Sequence, residues 1–302
     1  MNLYRIISLF VILTVLVPSK ELNAGIWDQI KSAFIKPEKP KPPFIKVLIA
    51  HDVESAQIEV KGRHVIFDPF TKERLTTHYS GKKGIIKALP TGIKWGEEFP
   101  RTYQVQIVSE MKGGSIFVDG VEYKGSIFIY AIDSEKISVV NQVDVEDYLT
   151  STLSGAVDKI YSNETLAALA IAARTQAYFQ SASSSNSFWQ VIADQVGYKG
   201  LNVSNQAPEV KDAIRFTKYM ILSQTGIYEG VITPFPVQLF FGETIANRGR
   251  VKGFSVEEAE SLSRRGENAS RILSQIFPNT TIELAFHMEQ APMTNEIAEK
   301  GK

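Results

Sequence analysis

Residues 141–180, NQVDVEDYLTSTLSGAVDKIYSNETLAALAIAARTQAYFQ, hold the groups in this chain best placed to do chemistry. Glu146 and Asp147 share one turn, Asp158 and Glu164 follow a short helix, and Arg174 sits on an alanine-lined helix. A carboxyl group transfers protons in a reaction when it is held neutral near working pH and can then act as a base. An arginine on a close-packed face must be paired, here by Glu146 or Asp147, or else it reaches the carbonyls and carboxylates of a ligand. Other chemistries are excluded. Cysteine is absent, which removes disulfides, thiol catalysis, cysteine–zinc sites and a lipid-modified cysteine anchor. The four histidines (His51, His64, His78 and His287) are scattered without a pair at ligand spacing, so neither a metal site nor a cofactor is expected.

These residues need a frame, and the chain supplies strands before them and helices around and after them. Ile45 to Ala50 is a continuous apolar run, while 57–60, 64–67 and 103–108 alternate. Ser115 to Val118, Asp119-Gly120 and Val121 to Tyr123 read as a hairpin, because Asp-Gly supplies the positive φ of a type I′ turn. Residues 126–131 and 137–140 add two strands. From Glu164 to about Gln180 the spacing predicts a helix capped by Ser162 or Asn163, with a buried stripe of Leu166, Leu169, Ala170, Ala173 and Ala177. Its six alanines between 167 and 177 let a neighbour approach closely. Pro208 to about Leu222 predicts another helix. Ser255 and Glu258 form a capping box for a helix to about Arg265, and Ala269 to Phe277 reads as the last one. One α+β domain, with a β-rich N-terminal part followed by a helical core, is the economical expectation.

At 302 residues, 44% hydrophobic and 22% charged with formal charge zero, the chain carries no electrostatic footprint for nucleic acid. Its first residues read as an export signal: Arg5, an apolar run from Ile6 to Val17, Pro18, and Ala24 where a signal peptidase would cut. The run is shorter than the about 20 apolar residues that span a bilayer. An uncleaved signal is the alternative, and the only membrane attachment expected. Either way the body is expected outside the cytoplasm, in a periplasm. The expected organisation is a signal peptide over 1–24, a Lys/Pro-rich linker over 25–43, a folded domain over 44–290 and a flexible tail over 291–302.

The order of motifs resembles the stage II sporulation protein D (SpoIID) / amidase-enhancer LytB domain family. Tyr123-Lys124-Gly125 takes the place of its "YRG" turn, and Val140 to Leu149 that of "VN.V.LEDYL". Leu166 to Ala177 matches the "AL.AQA.AARTYA" helix, and Gln195 to Gly200 resembles "QVY.G". Gly266, Ile272-Leu273 and Phe277 to Thr281 line up with the C-terminal elements, so the similarity covers about residues 44–284. The resemblance implies peptidoglycan as ligand and a lytic transglycosylase as ancestor. In such enzymes one glutamate protonates the leaving oxygen and then draws a proton from the sugar's own hydroxyl. Ordinary glycosidases instead need two carboxylates.

Aligned without gaps, that glutamate falls on Ala156, the family histidine falls on Arg250, and the segment between Ile232 and Gly249 is short. A methyl group cannot transfer a proton. Asp158 and Glu164 are the fallback acids, although on a helix Asp158 would point about 200° away from Ala156. The residues that the resemblance assigns to glycan binding are Glu146, Tyr148, Arg174, Thr175, Tyr178, Gly249, Arg250, Gly253 and Ser255. Three functions are expected to compete. The preferred one is an exported protein that binds peptidoglycan, or a cell-wall enzyme, without cutting. The others are an active transglycosylase with a substitute acid such as Asp158, and a periplasmic scaffold that activates an amidase or contacts a divisome protein.

Overall fold

Among the described residues, twelve strands precede the first helix: β1 (Phe44–Val53), β2 (Ala56–Val60), β3 (His64–Phe67), β4 (Arg74–His78), β5 (Lys82–Leu89), β6 (Gly92–Trp95), β7 (Glu97–Pro100), β8 (Gln104–Ser109), β9 (Ile116–Val118), β10 (Val121–Tyr123), β11 (Ser126–Ala131) and β12 (Ile137–Asp144). The computed structural model describes residues 43–201, 207–225, 232–242 and 253–285. The expected signal and nearly all of the linker, the C-terminal tail, Gly249 and Arg250 lie outside the described residues.

β13 (Val191–Ile192) completes a seven-stranded sheet in the order β13-β1-β12-β11-β8-β3-β4. A six-stranded antiparallel sheet runs β10-β9-β2-β5-β6-β7. Ile45, Val47, Ile58, Ile86, Ile93, Trp95, Ile107 and Ile127 from both sheets join one apolar core with the helices. Each such side chain removed from water contributes about 1.5–3 kcal/mol. The Asp119-Gly120 hairpin has positive φ at both turn residues (49° and 81°), as the type I′ turn requires.

The helices among the described residues are α1 (Val145–Ala156), α2 (Asn163–Ser183), α3 (Ala193–Val196), α4 (Pro208–Phe216), α5 (Val256–Arg264) and α6 (Ala269–Ile276). α1 leaves β12 directly, with the Asp144 carboxylate accepting the Asp147 N–H at 2.9 Å as its N-cap. Ser162 caps α2. The buried stripe expected on α2 is buried, but so are Ala168, Ile171, Ala172, Arg174, Thr175 and Tyr178, so the helix is enclosed almost all round. It touches α1, α4, α5, α6 and β14 (Met220–Gln224), and its alanines are what admit neighbours on every side. Among the described residues no helix is long and apolar enough to cross a membrane.

The helix expected over 208–222 stops at Phe216. Thr217 closes it, its N–H and hydroxyl both bonding the Ala213 carbonyl, and Tyr219 adopts φ 68°. Met220–Gln224 then pairs antiparallel with β17 (Thr280–Leu284), so tertiary pairing overrides the helical reading of that segment. The other short pair is parallel: β15 (Gln238–Phe240) with β16 (Gly253–Ser255). A mixed α+β architecture results, with strands first and helices mostly later.

Candidate functional site

The motif residues knit together beneath the start of α1. Asn141, fully buried on β12, donates through Nδ2 to the carbonyls of Lys124 (2.8 Å) and Ser126 (3.1 Å). Its Oδ1 accepts the Tyr198 hydroxyl at 2.5 Å. Gly125 makes the adjoining turn at φ 82°, and a Cβ there would collide with the Gln142 carbonyl. Gly200, at φ 62°, lies as tightly against the Glu122 carbonyl. Lys124 Nζ meets Asp147 Oδ1 at 2.7 Å. Tyr148 stacks on Tyr198, with ring centroids 5.8 Å apart, and burial pushes its hydroxyl pKa far up. Asp144 has a raised carboxyl pKa, chiefly because it is buried. It caps the N-terminus of α1, about 18 Å along the helix from Ala156.

Arg174 has no exposed side-chain surface and grips Glu146 as a fork, Nε to Oε1 and Nη2 to Oε2, both at 2.8 Å. Its remaining N–H groups reach the carbonyls of Ile214 and Met220 and the Thr217 hydroxyl. Of the two roles open to it in sequence, its geometry is that of a structural arginine. Thr175 is equally enclosed: its hydroxyl donates to the Ile171 carbonyl and accepts the Leu222 N–H, each at 2.8 Å. The Tyr178 hydroxyl is buried without a hydrogen-bond partner, and its pKa is pushed up to about 12 by burial first and then by Glu146.

Above this frame opens a cleft of about 770 Å³ between α1, α2, the 195–197 turn and the 235–241 segment. α1 presents Tyr148, Leu149, Thr152, Leu153 and Ala156 to it; α2 presents Ala173, Gln176, Ala177 and Gln180. These spacings set one face of each helix toward the cavity. Phe235 and Phe241 form part of the far wall, and Gln195, Gln224 and Gln238 bring the glutamines to five. Among the described lining residues there is no Asp, Glu, His, Lys or Arg.

A family model described as "Stage II sporulation protein" (SpoIID) matches residues 133–223. Two chlamydial proteins, both described as uncharacterised, align along most of their length. The Chlamydia pneumoniae protein is 32% identical over 250 residues, 82% of this chain and 84% of its own. The Chlamydia muridarum protein is 30% identical over 241 residues, 80% of this chain and 77% of its own. A Brachyspira hyodysenteriae protein, also uncharacterised, is 24% identical over 58% of this chain and 46% of its own length.

Residues 133–223 form a SpoIID domain, and the chain belongs with the uncharacterised chlamydial proteins that align along most of it.

The matched SpoIID segment contains β12, α1, α2 and most of β14, and thus Asn141, Glu146, Tyr148, Ala156, Arg174 and Tyr198. The 235–241 wall and Ser255 lie beyond it. Gly253 and Ser255 are both buried. Gly253 leaves room for the Phe240 ring, and Ser255 caps α5 by accepting the Glu258 N–H. Neither fallback acid lines the cleft. α1 ends at Ala156, Val157 is extended, and the exposed Asp158 lines a separate hollow of about 310 Å³ with Ile160 and Glu209. Glu164 accepts the Ala269 N–H at 2.7 Å and so caps the start of α6 from outside. One carboxylate that sequence reasoning passed over adjoins the cleft wall. Glu257 accepts the Tyr161 hydroxyl (3.2 Å) and the Gly242 N–H (2.9 Å), next to Phe241, while its Oε2 is buried without a partner. Its neighbour Glu258, three residues after a serine, carried the capping signal in sequence; nothing there marked Glu257.

Proposed function

We propose that this chain, with its SpoIID domain, is an exported cell-wall protein that holds peptidoglycan glycan strands in the α1–α2 cleft without cleaving them. A cell-wall-related role follows from the family; the rest is our reading. The observation that carries it is the lining itself: Ala156 stands at the cleft where the resemblance calls for the catalytic glutamate, and no described lining residue can exchange a proton near neutral pH. Among the described lining residues Tyr148 is the one with an acidic proton, and burial makes it a worse acid than free tyrosine. Loss of general acid catalysis costs about 10²–10⁴-fold in rate. The aromatic and amide lining remains suited to sugar rings and their polar substituents.

The test is co-sedimentation of the full chain with insoluble peptidoglycan, followed by mass spectrometry of the released material. Binding without anhydro-ended products is expected, and Ala156→Trp, which fills the cleft, is expected to abolish it. A chain that stays in the supernatant supports the scaffold alternative, an amidase activator or divisome contact. The unpartnered Glu257 oxygen favours a second reading, an active transglycosylase with a substitute acid. That reading requires anhydro-ended products that disappear with Glu257→Gln.

A further inference from the structure

The seven-stranded sheet has a second face, turned away from the core. Ile45 and Val47 of β1 point into the core, so Phe44, Lys46 and Leu48 point the other way. Cross-strand register continues that face: Leu48 pairs with Val140, Val140 with Phe128, Phe128 with Gln106, and Gln106 with Phe67. Leu48, Phe128, Tyr130 and Val140 form an apolar cluster of their own, with the half-buried Trp189 packed on it. Phe188, 47% exposed, stands edge-on to Tyr130 with ring centroids 5.0 Å apart, and Phe44 is 46% exposed.

Cations lie over these rings. Lys46 Nζ sits 4.9 Å from the centre of the Phe128 ring, and the Arg74 guanidinium 5.8 Å from that of Phe67. Lys72, in the turn before β4, is near enough to act on Lys46, whose pKa is lowered first by burial and then by that charge. Among the described residues none of the three cations is ion-paired. The acids on the seven strands are Asp52, 3.7 Å from His51, and Asp144, which caps α1. The sequence leading into Phe44 has the same chemistry. Ile26, Trp27, Ile30 and Phe34 recur at i, i+1, i+4 and i+8, and Lys31, Lys36, Lys39 and Lys41 outnumber Asp28 and Glu38.

We infer that this outer face of the seven-stranded sheet docks on a membrane surface rich in anionic phospholipid. Phe44 and Phe188 enter the headgroup region, while Lys46, Lys72 and Arg74 meet the lipid phosphates. A long basic side chain lying along a ring keeps its charge at the phosphates while its stem and the ring sink below. A membrane is favoured over an acidic protein because rings and cations continue from the face into an amphipathic basic sequence, the pattern of interfacial segments. The cleft-lining Tyr148, Leu149 and Leu153 belong to the core on the opposite side of the sheet, so docking leaves the cleft uncovered. The inference is independent of the glycan reading. It adds a peripheral contact to the uncleaved signal, the only attachment expected from sequence.

Fluorescence quenching on the full chain tests this, because it separates docking of the face from attachment through the first residues. Trp27→Phe leaves two tryptophans, the fully buried Trp95 and Trp189 beside the exposed Phe188. The probes are vesicles of phosphatidylcholine, alone or mixed with phosphatidylglycerol, each carrying a headgroup nitroxide lipid as quencher. Trp189 is expected to be quenched on the anionic vesicles only, and high salt is expected to relieve the quenching. Lys72→Gln with Arg74→Gln changes two exposed positions where folding is not at risk. It is expected to lower the docked-to-undocked ratio about thirtyfold, the effect of two basic charges near such a surface. A chain that binds the vesicles with Trp189 unquenched is held by its first residues alone, and overturns the inference. Failure to bind either vesicle overturns it as well, as does quenching that is equal on neutral vesicles or unmoved by salt and the double variant. A lipid-free dimer in sedimentation velocity that the double variant dissociates would also overturn it, by assigning the face to a second copy of the chain.

Discussion

Replacing Glu146 with leucine strands a guanidinium inside the protein. Arg174 is wholly enclosed, and Glu146 supplies two of its hydrogen bonds at 2.8 Å. Breaking one side of a buried, bidentate pair costs about 3–5 kcal/mol, because the remaining charge is uncompensated. Two features pull the value toward the lower end. The Ile214 and Met220 carbonyls and the Thr217 hydroxyl still solvate the cation, and 15% of the Glu146 side chain is exposed, so water can enter in its place. The expected loss is therefore about 3 kcal/mol, or roughly 6–12 °C in Tm for a domain of this size. Urea denaturation of wild type, Glu146→Leu, Arg174→Met and the double variant measures it. The double variant removes both charges and is expected to be more stable than the sum of the single losses predicts, with a coupling of at least about 2 kcal/mol. A single loss below about 1 kcal/mol, or strictly additive losses, would refute the structural role. Because neither residue lines the cleft, the double variant should also keep its peptidoglycan co-sedimentation. Loss of binding in a stably folded double variant would return Arg174 to the ligand.

Three further outcomes are expected. His64 is fully buried between His78, stacked at 4.8 Å, and Trp95; burial, then the charges of His78 and Lys82, hold its pKa down against the opposing Gly62 carbonyl and Glu97. The unfolded chain therefore takes up this proton first, so stability is full above about pH 6.5 and falls as pH drops from there toward the lowered native pKa. Urea midpoints should decline over that window in wild type and less in His64→Phe; an unchanged slope rejects the assignment. Gly125→Ala adds a clash with the Gln142 carbonyl to positive-φ strain, whereas Gly120→Ala, with open space around its Cβ, adds strain alone. Thermal denaturation should place Gly125→Ala lower by at least about 1 kcal/mol, and equal losses would show the turn relaxing. Glu260 on α5 accepts the Ser162 N–H and hydroxyl and the Thr165 hydroxyl, bonds that outweigh burial and lower its pKa. Glu260→Gln should cost about 1–2 kcal/mol near neutral pH, and the difference from wild type should vanish as acid protonates the native carboxylate; a difference that persists there would show that charge is not the cause.

The parts legible in sequence were those written in local chemistry. Asp119-Gly120 demanded positive φ, Ser162 and Ser255 announced helix starts, and the apolar spacing on 166–177 named buried positions. What escaped was fixed by distant partners. β4 to β7 went unread because 68–102 carries mixed polar and apolar residues with glycines. Gly84, for one, lies against the Trp95 indole, whose Nε1 donates to the Gly84 carbonyl at 3.2 Å. The strand at 220–224 exists because 280–284 pairs with it, a fact absent from either segment alone. At the site, a charge on a close-packed face called for Glu146 or Asp147 as the partner of Arg174, and the structure holds Glu146 there, with Asp147 on Lys124. The glutamine lining was invisible, since Gln176, Gln195, Gln224 and Gln238 come from four separate elements and form no motif.

On the proposed reading, the residues that make the domain recognisable differ in kind from the one at the position of its acid. Asn141, Tyr198, Gly125, Gly200, Glu146 and Arg174 constrain one another: replacing any of them leaves a buried polar group unpaired or drives a side chain into backbone. Each such change threatens folding, whatever the cleft above it does. Ala156 is under no such constraint. It is the last residue of α1, only partly buried, and bonded through its side chain to nothing. A frame of this kind does not depend on the side chain at 156, and the cleft keeps its aromatic rings and its amides whatever stands there. The proposed separation of grip from reaction would follow from different ends of one helix: the anchored end, where Glu146 and Asp147 are tied to α2 and to Lys124, and the free end at Ala156.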